Sequence, residues 1–322
     1  MTTKRKSSRK STAKRALKKK SSAKKSSKKS SAKKTSAKKS AVKAGARPRK
    51  PQAAFALATN TKKPAQERIK AFLEAPLVTC QSDANLQAAL DVLRDTNEPI
   101  KVRLAAMQSL QAASFSVIEF EPCREDYLAA LREVVDDPNE ELRKRAFGIL
   151  AREKDAYAQK RLLEGLQETD KALVPPEKAL QLLSYDVHAE AYPVARDILN
   201  APPSPEAKRE ALRLLSADAN SAPVFEKLLR DKNEDREIRQ LSAAALQTVK
   251  PEKFEEQARA LLLDDDEYDD IQATALTALT QFGDAEQVAQ DETLMKRVGQ
   301  LGKGKSAKVK RPARQFLTRY KK

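Results

Sequence analysis

Tryptophan is absent from this chain of 322 residues, histidine occurs once and cysteine only twice. Each scarcity removes a class of chemistry. Cys80 and Cys123 form no CxxC pair and His188 has no second histidine beside it, so neither a disulfide framework nor a zinc site is indicated, and both cysteines read as free thiols. With seven glycines there is no phosphate-cradling loop: GKGKS at 302 to 306 lacks the GxxxxGK spacing and any preceding strand. Apolar runs long enough to span a bilayer, about eighteen residues, are missing, as is an apolar secretion segment near Met1. The expectation is a soluble, intracellular, non-enzymatic protein with no catalytic residue, no metal, no cofactor and no membrane span.

Carboxylates are missing from both ends. None precedes Glu67 and none follows Glu292. Residues 1 to 63 hold 24 Lys or Arg and residues 293 to 322 hold 11, so the formal charge of +18 averages two cationic ends with a middle of net −17. Residues 1 to 63, exemplified by SSAKKSSKKSSAKKTSAKKS at 21 to 40, have almost nothing to bury and much to repel, which predicts a disordered basic tail. Such a polycation gains free energy on nucleic acid by releasing condensed counterions, without reading sequence. The lysines expected to make these contacts are Lys18, Lys19, Lys20, Lys24, Lys25, Lys28, Lys29, Lys33, Lys34, Lys38 and Lys39, with a secondary patch at Lys303, Lys305, Lys308, Lys310, Arg311 and Arg314. The partner is nucleic acid, DNA ahead of RNA, in the cytoplasm or nucleoid of a bacterium or the nucleus of a eukaryote. Two other partners stay open for the tail: anionic lipid, and an acidic protein surface, either this chain's own or another's.

What the chain does have is a period. A nine-residue pattern with a small residue fifth and leucine ninth returns seven times: VRLAAMQSL at 102, LRKRAFGIL at 142, PPEKALQLL at 175, AKREALRLL at 207, IRQLSAAAL at 238, IQATALTAL at 271 and VKRPARQFL at 309. The intervals are 40, 33, 32, 31, 33 and 38 residues, the mark of a stacked repeat array. The fifth and ninth positions lie one helical turn apart on one face. A turn residue such as Asn97, Asp137 or Asn233 precedes each copy by five, and a second apolar stripe lies upstream, so each unit reads as helix, turn, helix.

On these residues the body resembles the HEAT family of helical repeats, most closely in DDPNEELRKRAFGIL with Asp137, Pro138, Asn139, Leu142, Arg143, Ala146 and Leu150. The resemblance implies an all-α, right-handed α-solenoid of about seven repeats over residues 83 to 322. A cap would cover 64 to 82, the terminal repeat at 291 to 322 would be basic, and a protein partner would sit on the concave face. It also implies a structural polar ladder through Asp137, Arg143, Arg239 and Arg103. Pro175 and Pro176, then Ala207 and Lys208, replace the Val-Arg pair that the family pattern leads one to expect. The tail resembles, in composition, the lysine-rich tails of linker-histone-like proteins. HEAT-like enzymes are a further alternative, but glycosylases of this kind rely on aromatic side chains, and iron hydroxylases on His-Glu pairs, neither of which this sequence provides. The acids Asp264, Asp265, Asp266, Glu267, Asp269 and Asp270 lack EF-hand spacing and read as a solvated turn.

The tail makes a first prediction. Replacing Ser26, Ser27, Ser30 and Ser31 with glutamate adds four negative charges among the lysine pairs and should weaken duplex DNA binding at fixed salt, as titration by fluorescence anisotropy would show.

Overall fold

The structure, a computed structural model, describes residues 50 to 320. The tail lysines Lys18 to Lys39 therefore lie outside the described residues. Every element among the described residues is helical, and the α-helices fall into eight antiparallel pairs. The first four pairs are α1 (Pro51–Ala58) with α2 (Ala65–Glu74), α3 (Asp83–Arg94) with α4 (Ile100–Ala113), the one-turn α5 (Val117–Phe120) leading into α6 (Arg124–Val134) with α7 (Glu140–Arg152), and α8 (Ala156–Gln167) with α9 (Pro176–Leu183). The last four are α10 (Tyr192–Asn200) with α11 (Pro205–Leu215), α12 (Ala222–Arg230) with α13 (Arg236–Val249), α14 (Pro251–Leu263) with α15 (Asp269–Phe282), and α16 (Ala285–Gln290) leading into α17 (Glu292–Lys303), which pairs with α18 (Ala307–Tyr320).

Local chemistry sets the breaks. Side chains of Ser82, Asn139, Asp155, Ser204 and Asp291 accept from the free backbone N–H groups that open α3, α7, α8, α11 and α17. Pro176 and Pro205 stand at first helical positions, where a missing N–H costs nothing, so the prolines that break the sequence pattern mark helix starts.

The second helices carry the seam. All seven small residues at the fifth pattern position are buried: Ala106, Ala146, Ala179, Ala211, Ser242, Ala275 and Ala313. Six of the seven leucines are buried beside them, Leu110, Leu150, Leu183, Leu215, Leu246 and Leu279. Leu317 is only partly buried, and Phe316 fills its place in the core. The small residues let neighbouring second helices approach: α2 packs on α4, and α7, α9, α11, α13, α15 and α18 pack in series. Burial in each pair is thus completed by its neighbours.

One boundary differs from the sequence reading. The segment from residue 50 to 63, assigned to the tail, contains helix α1, and the compact body begins at Arg49. Phe55 is the reason: it is buried and meets Phe72 edge to face with ring centroids 6.5 Å apart, while Ala54 and Ala58 pack closed beneath it. Residues 51 to 74 form a full helix pair in place of the expected cap, which makes eight units where seven were read.

Two stability predictions follow from this packing. Leu150→Ala, a truncation at a fully buried position, should cost roughly 2–5 kcal/mol in a urea titration. A chain beginning at residue 50 should unfold at the same denaturant concentration as the full chain. One beginning at residue 64 should unfold earlier, because it loses Phe55 and leaves Phe72 uncovered.

Candidate nucleic-acid interface

The body is knit by buried ion pairs built to one plan. Near the start of a second helix, a guanidinium sends Nε back to a carbonyl ten residues earlier and its terminal nitrogens forward to a carboxylate in the next turn. Arg68 Nε donates to Ala58 O at 3.0 Å while Nη1 and Nη2 reach Glu98 at 2.6 and 2.8 Å. Arg103 Nε donates to Leu93 O at 2.8 Å, and its Nη2 pairs with Asp137. Arg239 Nε donates to Leu229 O at 3.0 Å, and its forked nitrogens meet Glu267 at 2.9 and 2.7 Å. These side chains are almost wholly buried, so each charge must be matched where it lies. Lys208 repeats the forward half of the arrangement, with Glu234 at 2.5 Å.

The ladder expected from the family resemblance thus exists at Arg103, Asp137 and Arg239, and it includes Arg68, Glu98, Lys208, Glu234 and Glu267, which the sequence reading did not assign to it. Arg143 departs from it. Its Nε donates to Leu173 O at 2.8 Å and its Nη1 to the carbonyls of Asp137 and Pro138, both at 2.9 Å, with no carboxylate on it. The acidic run at 264 to 270 is the expected turn, with Asp265, Asp266 and Asp269 exposed and Asp269 and Asp270 opening α15, but it is also tied into the ion pairs of the body. Glu267 is buried on Arg239, Lys232 holds Asp264, and Arg236 holds Asp270 at 2.6 Å. The hydrogen bond from Lys232 keeps the Asp264 carboxyl below the usual carboxylate range.

Arginine pairing separates the body from its last helix. Between Arg68 and Arg297, every arginine except Arg143 and Arg152 has a carboxylate within ion-pairing distance. On α18 the pattern stops. Lys310, Arg311 and Arg314 line one shallow surface groove of about 560 Å³ with Gln315 and Thr318, and no carboxylate among the described residues pairs with any of the three cations. The helical period places them together: positions 310 and 314, and 311 and 314, are one turn apart. Their lack of partners has a physical source. Lys310 stands at the ladder position of α18, with no following turn among the described residues to supply its carboxylate, and α18 has no Asp or Glu of its own to pair with Arg311 or Arg314.

The secondary patch read from sequence is therefore assembled in part. Lys303 and Lys305 stand exposed at the turn before α18, whereas Lys308 leans back towards Asp270 at 3.7 Å. Among the described residues no helix is long and apolar enough to cross a membrane.

The ladder has a measurable signature. Glu267→Ala leaves the Arg239 guanidinium buried without its counter-charge and should destabilise the array by about 3–5 kcal/mol. Replacing both partners with apolar residues, Arg239→Met with Glu267→Leu, should restore most of that loss in the same denaturation experiment.

No protein-family model matches the chain, and no curated protein matches it. Among solved structures, it is similar to the complex of CpcE and CpcF of phycocyanin lyase from Nostoc sp. PCC7120, at 14% identity and a TM-score of 0.23 over 88% of this chain and 99% of that one. A likeness of that size carries no functional argument; the helix pairs and their ladder are what identify the chain as an all-helical repeat array.

Proposed function

We propose that this chain is a non-enzymatic helical-repeat scaffold that holds nucleic acid at its cationic ends and a protein partner on its body. Support comes chiefly from the arginine contrast. In the body, guanidinium groups other than those of Arg143 and Arg152 are taken up by the chain's own carboxylates, while Lys310, Arg311 and Arg314 share an exposed groove with no such partner. The flanking Lys303 and Lys305 extend the same charge, and the 22 basic residues of the first 50 add a second, larger cationic segment. Phosphate is the ligand that unmatched, closely spaced cations fit, because each contact releases a condensed counterion and requires no base to be read. The 5% aromatic content provides little for base stacking.

The test is the salt dependence of duplex DNA binding, measured on the full chain, on a chain beginning at residue 50, and on a variant with Lys303, Lys305, Lys310, Arg311 and Arg314 all changed to glutamine. For the full chain, log K against log salt should fall with a slope of about −0.9 per phosphate engaged, and affinity should be nearly indifferent to base sequence. Removing the tail should remove most of the slope. The five-site variant should lose a smaller part of it, at most about four to five units. A full chain whose DNA affinity does not respond to salt, or whose slope survives both changes, overturns the proposal.

A further inference from the structure

The ladder has one position that the chain leaves open. Arg143 occupies on α7 the place held by Arg68, Arg103, Lys208 and Arg239 on their own helices. In three of those four cases the carboxylate stands five residues before the next ladder position: Glu98 before Arg103, Glu234 before Arg239, Glu267 before Gln272. Five residues before Pro176 stands Lys171, and it turns away to Glu168 at 2.7 Å. Arg143 settles on three backbone carbonyls through Nε and Nη1, and its Nη2 donates to nothing among the described residues.

The group does not face bulk water alone. It lines a cleft of about 670 Å³ whose wall is mostly apolar, including Leu166, Leu173, Val174, Pro175, Ile198 and Pro203. Gly165 helps to form it, since a Cβ there would lie 3.0 Å from Ala172 Cα and push the turn off α8. Glu140 reaches the same cleft, but Lys144 holds its carboxylate at 2.6 Å. A half-buried cation with one free edge, set in an apolar wall, matches a ligand with a carboxylate next to an aliphatic side chain. A phosphate backbone offers nothing for the wall.

We propose that this cleft docks a short acidic and aliphatic segment of a protein partner, whose carboxylate completes the open rung on Arg143 Nη2 while a leucine-sized side chain fills the space between Leu173 and Ile198. This rests on the scaffold reading above and names the chemistry of its protein partner. Charge-assisted pairing of guanidinium with carboxylate provides the orientation, and apolar burial the larger part of the affinity.

The probe is the peptide acetyl-Leu-Leu-Glu-Leu-Leu-amide, added to full chain labelled at Leu, Val and Ile methyls and freed of nucleic acid. Saturable NMR shifts are expected at Leu166, Leu173, Val174 and Ile198, with roughly tenfold weaker binding when the peptide's Glu is Gln or when the chain carries Arg143→Met. Unchanged methyl spectra for α13 and α15 would show that the variant is folded, and Arg143→Lys provides a second variant if it is not. Equal affinity for the Glu and Gln peptides, no shift at these methyls, or shifts produced only by duplex DNA would overturn the docking site. Because no DNA is present in the main arm, its failure is separable from failure of the nucleic-acid reading.

Discussion

A buried guanidinium that must find a carboxylate in the next repeat is the constraint on which the array depends. Arg68, Arg103 and Arg239 each fix two distances at once, one back to the end of their own first helix and one forward into the following turn. An apolar seam of alanine and leucine is tolerant of sliding, because one small methyl-lined surface packs much like another. A forked ion pair at 2.7 to 2.9 Å is not, since a shift of one residue leaves a charge unmatched in the interior. The seam provides most of the stability, and the rungs set the register between pairs.

The same device governs where charge is available to other molecules. The middle of the chain is net −17, yet much of that acid is turned inward or engaged: Glu98, Asp137 and Glu267 are buried on arginines, and Asp218 and Asp155 are held by Arg196 and Arg132. Most arginines of the body are engaged in turn. On α18, which carries no carboxylate of its own, Lys310, Arg311 and Arg314 stand close together without partners among the described residues. Local charge matching, and not the overall charge, therefore decides which cations of the described residues stand free.

Much of the fold was legible in the sequence because its signal is repeated. Seven copies of a small residue and leucine, four apart, specify a packed helical face, and six of the seven leucines are buried. The copy that was missed, α1 with α2, shows what hid it. Its ninth position is Ala75, not leucine, and its first helix adjoins the lysine-rich segment, so composition masked the apolar AAFALA that carries Phe55. Glu98 and Glu267 escaped notice for another reason. Each lies beside a more conspicuous turn residue, and only the recurring forward spacing from an arginine to an acid about thirty residues on distinguishes the buried carboxylate from its exposed neighbours. The α18 groove was partly legible, as a charge run, but which of its cations lean back on the body is a matter of tertiary placement.

The departure at Arg143 and Pro176 has a consequence for the array as a mechanical object. In stacked repeats, stability is close to a sum of unit terms and nearest-neighbour terms, so a junction without a rung is weaker than its neighbours without unfolding them. Lys171 removes the acceptor of the Arg143 rung, Pro176 removes the donor of the next one, and Arg143 falls back on carbonyls that bind it without a counter-charge. The cleft and the missing rung are thus one feature with one cause. The departures at Lys171 and Pro176 leave a cation facing the cleft, between helix pairs whose own seams at Leu150, Leu183 and Leu215 remain closed. A site of this kind can gain a partner's carboxylate without any helix having to move, because the rungs at Arg103–Asp137 before it and Lys208–Glu234 beyond it already hold the flanking pairs.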